Sequence, residues 1–65
     1  MASNEAELAS LVATLEDVHR RVGDMAVRLA AEPSPREDVV AALYEAERTV
    51  SASIRSVTKA RRQMN

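Results

Sequence analysis

The only side chain in this 65-residue chain that could carry chemistry alone is His19, its single histidine. An imidazole near neutral pH can move a proton or accept a phosphoryl group, so one reading is phosphotransfer through His19 on a helical bundle. The residue lies in Glu16-Asp17-Val18-His19-Arg20-Arg21, without the proline that many phosphoaccepting kinase motifs carry a few residues later. Glu47 is the other candidate, a carboxylate among apolar neighbours at helical spacing, able in principle to act as a base or ligand. Neither residue has the company that its chemistry needs. There is no cysteine and no second histidine for a zinc site, and no partner carboxylate for acid–base work. Glycine-rich phosphate loops and nucleophile elbows are absent from the sequence as well. His19 and Glu47 therefore read as a polar pair within a helix–helix contact. The chain is expected to be no enzyme and to need no metal or cofactor.

A second group is cationic. Arg55, Lys59, Arg61 and Arg62 crowd the C-terminal end, and Glu47, Ser51, Arg55, Lys59 and Gln63 follow one another at i, i+4 spacing. Such a stripe could meet phosphates or a nucleotide, which gives nucleic-acid or nucleotide binding as an alternative function. Against it stand a net charge of −1 and a single aromatic residue, Tyr44, so no stacking platform can be built. Nucleic acid is the less favoured partner. The cations also suit the negative end of a helix dipole.

These residues need elements to hold them, and the apolar spacing supplies two. Leu8, Leu11, Leu15, Val18, Val22, Met25 and Leu29 recur at alternating intervals of three and four, which predicts one helix over residues 4–32, about 40 Å long. Asn4 and Glu7 have capping-box spacing at its start, and residues 1–3 are expected to fray. Val39, Leu43, Ala46, Val50, Ser53, Val57, Ala60 and Met64 repeat the pattern over a second helix, 35–63. Between them lies Glu32-Pro33-Ser34-Pro35-Arg36-Glu37. Pro33 disfavours helix at Glu32, Ser34 and Glu37 can form a capping box, and Pro35 suits a first helical position. The turn is expected at 33–34.

Folding the chain at that turn sets Leu29 against Val39, Met25 against Leu43, Val22 against Ala46, Val18 against Val50 and Leu11 against Val57. The fold class is thus all-α: an antiparallel two-helix hairpin in one domain, 1–65, with these residues, Leu8 and Leu15 as the hairpin core. A further strip, Val12, His19, Ala26, Val40, Tyr44, Glu47 and Ile54, is left over, with Gly23 beside Tyr44 as room for the ring or for a neighbouring helix. It is expected to form a dimer interface and complete a four-helix bundle. A short chain without disulfides or metal has oligomerisation as its remaining source of stability.

The expected function is non-enzymatic: a small oligomerisation or adaptor module, regulatory through helix–helix contacts, with itself and another protein as partners. No apolar run suits a membrane span and no secretory leader is visible, so the expected location is cytoplasmic. Eight arginines to one lysine fit a GC-rich bacterial genome.

Overall fold

The first helix begins where a hydroxyl can satisfy its free amides. In the computed structural model, which describes residues 3–64, Ser3 is extended and its Oγ accepts from the Ala6 N–H at 3.1 Å. Its carbonyl takes the Glu7 N–H at 2.9 Å. Ser3 rather than Asn4 is the N-cap, and α1 runs Asn4–Ala30 with Glu5 and Glu7 at the positive end of its dipole. The fraying expected of residues 1 and 2 falls outside the described residues.

The turn is longer than expected. The Ala31 N–H reaches the Val27 and Arg28 carbonyls at 3.1 and 3.3 Å, and the Glu32 N–H reaches Leu29 O at 3.3 Å, tightening the last turn. The second helix, α2, runs Glu37–Met64, and its first backbone bond goes from the Val40 N–H to Arg36 O at 3.0 Å. Pro35 therefore precedes the helix, and the expected start at residue 35 is two residues early. Pro33 and Pro35 interrupt the helix through a bend at 32–34, so residues 31–36 make the bridge. Arg36 bonds the Asp38 carboxylate twice, at 3.1 and 3.3 Å, across the helix start. That guanidinium, helped by the Val39 backbone, holds the Asp38 carboxyl below its ordinary pKa.

The helices pack antiparallel as a hairpin. Their open end is fastened by Arg61, which donates to Glu5 Oε1 at 3.0 Å, the one ion pair between the helices among the described residues. The molecule measures 49 × 19 × 11 Å, so it is one helix thick. Its radius of gyration is 15.1 Å, whereas a compact domain of this length would have about 11 Å. Its accessible surface is 4893 Å², about 800 Å² above the value of about 4,100 Å² expected for a compact monomer of its mass.

Inside this layer the half-buried positions take in Leu8, Leu15, Val18, Val22 and Leu29 of the expected α1 seam and every expected α2 seam residue except Met64, together with the strip beside them. The half-buried positions of α1 centre on Leu8, Val12, Leu15, His19, Val22 and Leu29, around the fully buried Ala26. Those of α2 centre on Val40, Leu43, Glu47, Val50, Ile54 and Val57. Leu11 and Met25, expected in the hairpin core, remain 47% and 43% exposed. Ala26 is covered completely, and the space beside Gly23 is taken by the Glu47 side chain. No helix among the described residues is long and apolar enough to cross a membrane.

Candidate functional site

His19 and Glu47 are both half-buried on the faces that the helices turn to each other. The expected bond between them does not form: neither residue makes an ion pair among the described residues. Glu47 instead lays its carboxylate over Gly23, in the space that a β-carbon there would occupy. The room at Gly23 thus serves Glu47 and not Tyr44. Tyr44 is 38% exposed and lines a shallow hollow with Ala30, Pro35, Glu37, Val40 and Ala41. No buried side-chain polar atom lacks a partner, and no set of three metal-ligating residues gathers among the described residues.

The strip expected to meet a second copy is partly covered within a single chain, with Tyr44 exposed. Val12, Val40 and Ile54 are half-buried in a single chain, and Ala26 has no exposed surface at all, so it has nothing to offer another molecule. The cations are dispersed. Arg61 is committed to Glu5, Arg55 donates to Ser51 Oγ at 3.3 Å, and Lys59 and Arg62 are exposed. The Glu5–Arg61 clamp was open to sequence reasoning, because both residues lie seven positions from Val12 and Ile54 on the same helical column.

What the fold leaves open is one side of the layer. Val18, Val22, Met25, Val27 and Leu43 line a groove along it, and Arg21, Asp24 and Arg28 stand at its edge. Leu8, Leu11, Leu15 and Leu29 continue the α1 side at intervals of three and four. Val39, Ala46, Val50, Ser53, Val57 and Ala60 continue the α2 side by the same rule. Each of these is half-buried or exposed, and none is fully covered. Ser53 satisfies its hydroxyl on Thr49 O at 3.0 Å, so it presents a small surface with no polar demand. Arg28 folds its guanidinium onto Met25 Sδ at 3.2 Å and partly covers the groove.

The apolar stripe read from the sequence is thus wider than the contact between the two helices. Leu11, Met25 and Met64 of that stripe are exposed, and its other residues are half-buried. No family model, curated protein or solved structure matches the chain.

Proposed function

We propose that this chain is a non-enzymatic assembly module whose working unit is built by joining hairpins on the open face. The observation that supports the reading is the partly covered row of Leu11, Val18, Val22, Met25 and Leu43 on a layer one helix thick. The surplus of about 800 Å² over a compact monomer equals one partner's share of a standard protein interface. Joining two layers would place Leu8, Leu15, Val22, Leu29, Leu43, Val50 and Val57 at the centre of four helices. Glu47 and His19 would then flank that core inside each hairpin.

The readings through single residues have less to stand on. A phosphoacceptor imidazole must stand clear of its neighbours to meet a donor, and His19 is half-buried against α2. A phosphate-binding patch needs convergent cations, and one of the four is held by Glu5. An assembly module can still present another protein with the grooves between its helices, which is how an adaptor or regulatory role would follow.

The test is Met25→Glu, which sets a carboxylate in the row. It should convert the assembly to monomers while much of the helical circular dichroism remains at low temperature. Ala13→Glu, at an exposed position on the outer side of α1, should leave assembly unchanged. Equal effects of the two substitutions would remove the open face from the reading.

A further inference from the structure

The charges bordering the open face are arranged so that a second copy fits in only one way. Next to the apolar row, α1 carries the column Glu7, Thr14, Arg21 and Arg28, all exposed, with Glu7 toward the open end and the two arginines, flanked by Asp24, toward the turn. Glu7 makes no ion pair among the described residues, and Arg28 touches only Met25 Sδ. Arg21 makes only a long contact with Asp17, at 3.7 Å. The matching column of α2 is Ala42, Thr49, Ser56 and Gln63, without charge.

Two hairpins stacked on this face about a two-fold axis have two arrangements. In one, α1 lies on α2 of the second copy, with both turns at the same end. In the other, α1 lies antiparallel on α1 and α2 on α2, with turns at opposite ends. The first sets Glu7 and Arg28 against an uncharged column. The second brings Glu7 of each copy to Arg28 of the other, and Thr14 to Arg21.

Resting on the assembly reading above, we propose that the occupant of the open face is a second copy of this chain. It would be seated antiparallel, α1 on α1, about a two-fold axis at Val18. The apolar residues agree with the charges. The axis at Val18 sets Leu11 against Met25 of the second copy and Val18 against itself. On α2 the same axis, at the level between Thr49 and Val50, sets Ala46 against Ser53 and Val39 against Ala60. The two most exposed α1 residues of the row, Leu11 and Met25, thereby cover each other, and each α2 pair includes a small side chain. The charge pairs select the orientation, and the apolar row supplies the affinity.

The chain has no cysteine, so a single one reports its neighbour cleanly. Val18→Cys should form a disulfide-linked dimer on mild oxidation, because its position meets itself across the axis. Val27→Cys, at a site 61% exposed and off the axis, should stay unlinked. Mixed Leu11→Cys and Met25→Cys chains should link to each other in preference to themselves. Glu7→Arg and Arg28→Glu should each weaken the dimer by about 3- to 30-fold at low salt, and the double variant should recover most of that loss. If a dimer forms while Val18→Cys stays unlinked and the charge reversals are silent, the arrangement proposed here falls and assembly stands. A monomer at every concentration overturns both.

Discussion

Replacing Gly23 by alanine sets two opposed effects against each other at one atom. Glycine inside a helix costs about 1 kcal/mol against alanine, so the substitution should stabilise α1 by that amount if nothing else changes. The added methyl, however, comes into hard contact with Glu47 Oε2 and lies 3.4 Å from Glu47 Cδ. The obstacle is the end of a flexible, half-buried side chain and not backbone, so Glu47 can turn away. Moving it to a less favourable rotamer costs about 0.5–1.5 kcal/mol. The terms nearly cancel, and Gly23→Ala alone should change stability by less than about 0.5 kcal/mol in either direction. In a Glu47→Ala background the obstacle is gone, and the same change should stabilise by about 1 kcal/mol, or about 4–8 °C in Tm. Thermal unfolding of the four proteins at one concentration closes the cycle. A loss above about 1 kcal/mol on Gly23→Ala in both backgrounds would refute the reasoning. It would mean that the helices themselves, and not the carboxylate, occupy the space beside Gly23.

At the other structural joints the expected outcomes are simpler. Ser3→Ala should cost about 1 kcal/mol by freeing the Ala6 amide, whereas Asn4→Ala, inside the first turn, should be nearly neutral in thermal unfolding. Asp38 has a folded pKa below its unfolded value, so its contribution to stability is present above the unfolded value and lost as pH falls through the folded one. Following its carboxyl resonance through that acid range should show the midpoint moving upward in Arg36→Ala. An unchanged midpoint would dissociate Arg36 from the start of α2.

The helices themselves were legible because seven apolar residues at unbroken three–four spacing, from Leu8 to Leu29, have no other regular solution. Their pairing was legible because two prolines near the centre of the chain leave only a hairpin. The caps were harder. Ser3 and Asn4 are adjacent N-cap types, and the Asn4–Glu7 spacing pointed to the wrong one by a single residue. Ser34 satisfied every sequence criterion for a cap, yet the bridge between antiparallel helices needed the extra length as far as Arg36.

The faces were the least legible part. Leu11, Val18 and Met25 and, on the other edge, Val12 and Ala26 belong to one broad apolar arc, and periodicity alone does not divide an arc between two neighbours. Burial divides them in the structure: Ala26 is fully covered, whereas Leu11 and Met25 stay largely exposed. The placement of Glu47 over Gly23 was hidden for a related reason, since a glycine outside the apolar seam carries no sign of what fills it.

Sedimentation equilibrium of the unmodified chain across the micromolar range tests the central proposal most directly. The expected mass is at least twice 7.1 kDa at the upper end, falling toward the single-chain value on dilution, with Met25→Glu held at that value throughout. A mass of 7.1 kDa at every concentration, with an unfolding temperature independent of concentration, would contradict it.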